Sequence, residues 1–219
     1  MTVESRRGSY SKGSPAARVG GDTTRHMDPA RAAQLVTTLE ALDPLGDLPR
    51  TGWVVRGVVP AESIAAHTCA VAILVAMICD ELRAAGTAID GERALRMALV
   101  HDAPEARTGD VPMPHKTPAM TAALEELEAR LAAELLPPAL YADWRDHANG
   151  SIEARVVAAA DKIQMLAKLG LLERQGRAVG PAFEGMWANP ANLRALELAP
   201  VRTLYEAVFA RAGRSLPAR

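Results

Sequence analysis

One stretch, residues 95–110, constrains this chain more than any other: Leu-Arg-Met-Ala-Leu-Val-His-Asp-Ala-Pro-Glu-Ala-Arg-Thr-Gly-Asp. An apolar helical run ends in the adjacent residues His101 and Asp102, and Pro104 then discourages the helix from continuing. Glu105 and Asp110 follow closely. Adjacent helical residues point about 100° apart, so both members of the doublet reach one ion only near the helix end. We therefore predict a metal site at a helix terminus, with acid or base groups beside it.

The composition predicts an all-α fold. Of the 219 residues, 49% are hydrophobic, which is enough for one sizeable core, and only 4% are aromatic. Ala and Leu, which are strong helix formers, dominate, and no run of β-branched residues alternates with polar ones. We expect a disordered tail over residues 1–27, a single helical-bundle domain over 28–212 and a short tail over 213–219.

The charge and the cysteines restrict the partners and the compartment. The net charge is −1, so no strong field draws the chain to a nucleic acid or a membrane surface. No stretch approaches roughly 18 uninterrupted apolar residues, and the N-terminus has no apolar signal core. Cys69 and Cys79 lie too far apart on one predicted helix to form a disulfide, so we expect two buried free thiols. These features favour a cytoplasmic protein.

Two further side chains can complete a metal site with the doublet. His67 lies on the apolar face of a long predicted helix, although a single such His is more often a core residue. Asp161 faces inward on another long helix, and a buried ionised carboxylate needs a cation or several donors. Lys162 is expected to point elsewhere, because helical neighbours do not share a face. A divalent Mn, Co, Fe, Zn or Mg ion held by His67, His101, Asp102 and Asp161 satisfies all of these groups.

The order of these motifs resembles the HD-domain phosphohydrolases, and within them the 5′-deoxyribonucleotidases and their eukaryotic HD-domain-containing relatives. The resemblance covers roughly residues 30–175 and rests on the ordered set of blocks, since a lone His-Asp doublet is a weak motif. The blocks are Pro-Arg-Thr-Gly-Trp-Val-Val-Arg at 49–56, Pro-x-Glu-Ser-Ile-Ala-x-His at 60–67, His-Asp-Ala-Pro-Glu at 101–105, Thr-Gly-Asp-Val-Pro at 108–112, and the run from Ile152 to Asp161.

The resemblance implies a metal-dependent phosphomonoesterase that removes the 5′-phosphate of (deoxy)nucleoside monophosphates, and it implies a homodimer. It assigns the metal to the two His and two Asp named above. It places Glu105 and Asp110 beside the nucleophilic water and the substrate, and Arg56 near the phosphate. Asp110 is open to two roles, as an acid or base and as the holder of a substrate hydroxyl. Lys116, in a proline-rich loop, is a further candidate for the phosphate, against the simpler interpretation of a solvated lysine.

Other functions stay open at this point. Gly57 stands where the bacterial enzymes carry Trp, which leaves room for another phosphorylated metabolite as the substrate. His115 and His147 lie between the doublet and Asp161, in the interval where some HD oxygenases hold a second iron. A non-catalytic HD protein that binds nucleotides is the third alternative. Two irons with oxygen consumption, or nucleotide binding without turnover, would distinguish these alternatives.

Overall fold

The computed structural model describes residues 26–112, 117–178 and 180–217, and within these ranges it is an all-α bundle. Almost all of the predicted N-terminal tail lies outside the described residues, as do His115 and Lys116. The α-helices are α1 Pro29–Leu42, α2 Thr51–Val54, α3 Ile64–Ala84, α4 Gly91–Val100, α5 Glu105–Thr108, α6 Pro118–Leu135, α7 Pro138–Asp146, α8 Ile152–Arg174, α9 Pro181–Ala188 and α10 Ala199–Arg211. The all-α prediction is confirmed, while the predicted domain boundaries stay a prediction.

Side-chain caps explain where the principal helices begin. Asp28, Asp90 and Ser151 each accept a hydrogen bond from a backbone N–H in the first turn of α1, α4 and α8, as the sequence predicts. Ser63 caps α3 in the same way, so that helix begins slightly later than the predicted start at Pro60 and Glu62. These caps fix where each long helix begins and so set the register that places His67 one turn into α3, His101 at the end of α4 and Asp161 in the middle of α8.

Three helices, α3, α4 and α8, pack against one another and form the main core, and α10 covers α8. Among the described residues, α3 alone is long and apolar enough to cross a membrane by length and composition. Its buried face carries His67, Val71 and Ile78 into the interface with the other two helices. The place of α3 at the centre of the bundle explains its buried apolar face, while Ile73 and Met77 are exposed on the opposite side.

Three local expectations need correction, and a fourth is met in part. Residues 51–54, expected to be irregular or extended, form the short helix α2. The chain forms α9 before the last helix, which the sequence did not predict. Residues 191–211, predicted to be helical with a kink or a split at Pro200, are split into a 3₁₀ turn at Pro190–Asn192 and α10, with Pro200 in the first turn of α10, where its missing N–H has no cost. Cys79 is buried as expected, but Cys69 is exposed.

Candidate active site

The predicted ligands converge from three separate segments. His67 lies one turn into α3, His101 is the C-cap of α4 with Asp102 directly after it, and Asp161 lies in the middle of α8. The His67 and His101 ring centroids are 5.7 Å apart. One ligand atom from each of His67, His101 and Asp102 lies within 4.8 Å of the others, as a shared ion requires. Asp161 Oδ1 lies 3.3 Å from His67 Nε2, which brings the fourth side chain to the same point.

The facing atoms have the properties of metal ligands. Nε2 of His67, Nε2 of His101 and Oδ1 of Asp161 are buried and have no hydrogen-bond partner among the described residues. Buried polar atoms are almost always satisfied, so three such atoms facing one another need an explanation. The other ring nitrogens are occupied, because Nδ1 of His101 lies 2.7 Å from the Ala98 carbonyl and Nδ1 of His67 lies 2.7 Å from Gln164 Oε1. Two imidazoles and two carboxylates arranged in this way fit one divalent cation.

Charge couples His67 and Asp161. Burial by itself would lower the pKa of His67, but the Asp161 carboxylate outweighs burial and raises it. Burial would raise the pKa of Asp161, but Lys162 and then His67 hold it well below its usual range. A cation needs His67 neutral, so metal binding below the raised pKa of His67 releases a proton. Lys162 corrects an expectation, since its Nζ lies 2.9 Å from Asp161 Oδ2 and does not point elsewhere.

Arg50 contacts the ligand Asp102 and the two carboxylates beyond it, Glu105 and Asp110. Its Nη1 lies 3.1 Å from Asp102 Oδ2, 3.5 Å from Glu105 Oε2 and 3.7 Å from Asp110 Oδ1. Gly109, with φ of 68°, turns the chain after α5, and Asp110 then accepts a hydrogen bond from the Gly52 N–H. The cleft that these residues line has a volume of about 260 Å³ and also contains Trp53 and Met165.

Burial and the negative charge of a neighbouring carboxylate raise the pKa of Glu105. Burial raises the pKa of Glu105 to about 9, and the neighbouring Asp102 adds to the rise while Arg50 opposes it. For Arg50, burial would lower the pKa, but Asp102, Asp110 and Glu105 outweigh burial, so it stays protonated. A carboxyl group with a strongly raised pKa beside a fixed cation in a cleft is a candidate acid–base group.

The raised pKa of Glu105 predicts how the stability of metal-stripped protein depends on pH. Its pKa in the folded protein lies above the ordinary value of 4.5, so its contribution is fully present below pH 4.5 and is lost as the pH rises towards 9. Glu105→Gln should therefore reduce the loss of unfolding free energy between pH 6 and pH 9 by about 4 kcal/mol. Urea denaturation at both pH values measures this. Glu92→Gln, at an exposed position, should follow the wild type, and an unchanged loss in Glu105→Gln would contradict the prediction.

Two of the predicted substrate-binding residues are not among the residues that line the cleft. Arg56 lies outside its lining, and Lys116 lies outside the described residues. Arg56 donates to the Gly52 carbonyl at 2.7 Å and lines a separate cavity with Asn189 and Asn192. Of the two arginines in the first matched block, Arg50 lines the cleft, and the predicted role of Arg56 near the phosphate stays a prediction. Lys116 lies outside the described residues, so its predicted role stays a prediction. His147 lines a second cavity, of about 580 Å³, that shares Asp161 with the cleft, and its Nδ1 contacts the Trp144 carbonyl.

Sequence analysis missed Arg50, Gln164 and Glu62. Arg50 stands in the first matched block. The need of three clustered carboxylates for a nearby positive side chain could have identified it. Gln164 is three residues after Asp161, which is the helical spacing that places two side chains on one face. Glu62 belongs to the matched block that leads to His67, and nothing in the spacing indicates the contact it makes with α8.

Comparisons with known proteins agree with the fold. A model of the HD domain matches residues 42–184. The 5′-deoxynucleotidase hdd1 of Schizosaccharomyces pombe is 30% identical over 177 residues, which cover 74% of this chain and 84% of that protein. The crystal structure of the PH0347 protein from Pyrococcus horikoshii has a TM-score of 0.67 at 28% identity, covering 81% of this chain and 98% of that one. Cyanophage S-2L DatZ, an HD phosphohydrolase solved with dA and one catalytic Zn²⁺, has a TM-score of 0.52 at 22% identity, covering 82% and 86%.

A helical bundle in which two His and two Asp from three segments converge, with the His-Asp doublet at a helix end, defines an HD-type metal protein. The chain belongs to the HD domain family. The 22% identity with DatZ shows a shared fold and nothing more.

Proposed function

We propose that this protein is a metal-dependent phosphomonoesterase that removes the 5′-phosphate of nucleoside monophosphates, with deoxynucleotides as the preferred substrates. The observation that carries the proposal is the set of unpartnered ligand atoms on His67, His101 and Asp161 beside Glu105, whose pKa is raised. The names of the relatives support it, since hdd1 is a 5′-deoxynucleotidase and DatZ was solved with dA and a catalytic Zn²⁺.

The donor set favours a transition-metal ion. His67, His101, Asp102 and Asp161 would hold it, and imidazole nitrogens suit Mn, Fe, Co and Zn better than Mg. When bound, the cation lowers the pKa of coordinated water and offsets the charge that develops on the phosphate oxygens.

Arg50, Glu105 and Asp110 would bind the substrate and transfer its protons. Arg50, at the wall of the cleft, binds a phosphate oxygen, because a guanidinium matches the geometry of a phosphate better than a point charge does. In the reaction, water forms a bond to phosphorus, the bond from phosphorus to the 5′ oxygen breaks, and that oxygen takes up a proton. Glu105 in its protonated form supplies this proton, and the carboxylate that results is protonated again by the proton that the attacking water loses. Asp110, fixed by the Gly52 N–H, orients the substrate beside it.

Replacing the two arginines separately tests which of them binds the phosphate. Arg50→Met should lower kcat/KM by about 10- to 100-fold, because a hydrogen bond to a charged group contributes about 1.5–3 kcal/mol. Arg56→Met should lower it far less, since Arg56 donates to the Gly52 backbone carbonyl and does not itself line the cleft. Steady-state phosphate release on one deoxynucleotide measures both values. The reverse ranking would contradict the assignment of Arg50.

A substrate panel tests the function as a whole. Chelated protein should release phosphate from nucleoside 5′-monophosphates after Mn, Co or Zn is added, and faster from deoxy than from ribo forms. Absence of metal-dependent release from every monophosphate would reject the proposal.

We further propose a homodimer and a cytoplasmic location. Support for the dimer comes from an apolar groove of about 600 Å³ between α1, α3 and α4, whose rim exposes Leu39, Ile73 and Leu99. An exposed apolar patch of this kind is typical of a protein interface. Light scattering should give twice the chain mass for the wild type and a lower mass for Ile73→Glu, and a monomeric wild type would reject the dimer. Fluorescence microscopy of the tagged chain tests the location, and a membrane or secreted signal would reject it.

A further inference from the structure

Glu62 lies at the centre of a hydrogen-bond cluster beside the cation site, where it lines the cleft together with Gln164. Its side chain is 8% exposed and stands just before α3. It faces Trp53 Nε1 at 3.0 Å, Gln164 Nε2 at 3.3 Å and Lys168 Nζ at 3.3 Å. All three groups are donors, and a carboxylate offers acceptor positions on both oxygens, so the contacts of Glu62 are mutually consistent.

The charge of Glu62 sets the orientation of the Gln164 amide. Because a carboxylate can only accept, Gln164 must present its NH₂ group to Glu62. Its carbonyl Oε1 therefore faces Nδ1 of His67, at 2.7 Å. A carbonyl oxygen can only accept, so Nδ1 of His67 must carry the proton and donate it. Nε2 of His67 is then left as a lone pair, and Nε2 is the atom that lies 3.3 Å from Asp161 Oδ1.

We propose that Glu62 and Gln164 are positioning residues that hold His67 in the tautomer able to ligate a cation through Nε2. The contacts run from Glu62 to Gln164, from Gln164 to His67 and from His67 to the cation. In the first two, the hydrogen-bond donor is fixed: Gln164 donates to Glu62, and His67 donates to Gln164. The Glu62 carboxylate also accepts a hydrogen bond from the Trp53 indole, which lines the cleft. Glu62 therefore positions both a cation ligand and a side chain of the cleft. This inference rests on the cation site of the proposed function and does not depend on the identity of the substrate.

The affinity for Zn²⁺, measured without substrate by competition with a chelator, tests the proposal. Gln164→Leu removes the acceptor and should weaken Zn²⁺ binding about 10- to 100-fold, the usual effect of losing a group that orients a ligand. Nitrogen-15 NMR should show the loss of the Nδ1–H form of His67, with His67→Gln used to assign the signal. Gln175→Leu, the same change at an exposed position at the end of α8, should leave both readouts unchanged.

Exchanging the side chains of Glu62 and Gln164 tests whether they orient His67 or only fill space beside it. Gln164→Glu should weaken Zn²⁺ binding, because it places two carboxylates against each other. The double variant Glu62→Gln/Gln164→Glu lets the amide at 62 donate to the carboxylate at 164, which still accepts from His67, and Lys168, four residues further along α8, can pair with that carboxylate instead of with position 62. Binding should therefore return to near the wild-type value. This pair preserves side-chain shape and keeps the test valid if Gln164→Leu does not fold.

Three results would overturn the proposal: unchanged Zn²⁺ affinity in Gln164→Leu, an Nδ1–H tautomer that persists in that variant, or a double variant that binds no better than Gln164→Glu. A failure of the phosphatase function looks different. In that case the wild type binds Zn²⁺ with the Nδ1–H tautomer but releases no phosphate from any substrate.

Discussion

Glu105→Gln should retain the cation and lose most turnover. The substitution keeps the shape of the side chain but removes the proton-transfer group, and general acid–base groups contribute about 10²- to 10⁴-fold to the rate. We expect kcat for a deoxynucleoside monophosphate to fall within that range, with KM changing much less. Metal content should stay near that of the wild type, because the four predicted ligands remain in place.

Steady-state kinetics together with elemental analysis on the same preparation checks this result. Glu92→Gln is the matched control, since its side chain is exposed at the start of α4. Turnover equal to that of the wild type would show that Glu105 has no catalytic role. Loss of metal together with activity would instead make Glu105 part of the cation site.

Asp161→Asn should have the opposite profile, with loss of the cation and of the activity together. The buried carboxylate provides both the negative charge at the site and the oxygen that faces His67, and an amide supplies no charge. A ligand that binds only the folded protein stabilises it by about 2.7 kcal/mol at 100 times its dissociation constant. The variant should not gain this stabilisation when metal is added.

Thermal unfolding with and without added Zn²⁺ measures that difference. The wild type should melt at a higher temperature with Zn²⁺, and Asp161→Asn should melt at the same temperature in both conditions. Asp143→Asn removes a carboxylate that pairs with Arg96 on α4, away from the cleft, and should keep the Zn²⁺ effect. A full Zn²⁺ effect in Asp161→Asn would remove this residue from the predicted ligand set.

The sequence predicts the parts of the fold that depend on local interactions. Caps such as Ser151 and the apolar stripe around His67 act over a few residues, so the starts and faces of the long helices follow from the pattern. The predicted ligands also converge in the structure, because each lies at a position that its own helix fixes. The short helices α2 and α9 lie outside what local pattern indicates, since tertiary packing stabilises such short elements.

The contacts of Arg50 and Arg56 could not be predicted from the sequence. Arg50 and Arg56 lie six residues apart in one block, and nothing in their spacing decides which of them faces the carboxylates. The structure decides it through the turn at α2, which directs Arg56 to the Gly52 carbonyl and Arg50 to the cleft. The contact between Lys162 and Asp161 was missed for a related reason. A long flexible side chain can bend to its neighbour, whatever the angle between their Cβ atoms.

Titration of metal-stripped protein with Zn²⁺ or Mn²⁺, with phosphate release from a deoxynucleoside monophosphate recorded at each step, is the most direct test of the central claim. The account predicts that activity rises from zero and saturates at one equivalent of metal per chain. Activity that survives exhaustive chelation, or no activity at any metal content, would contradict it.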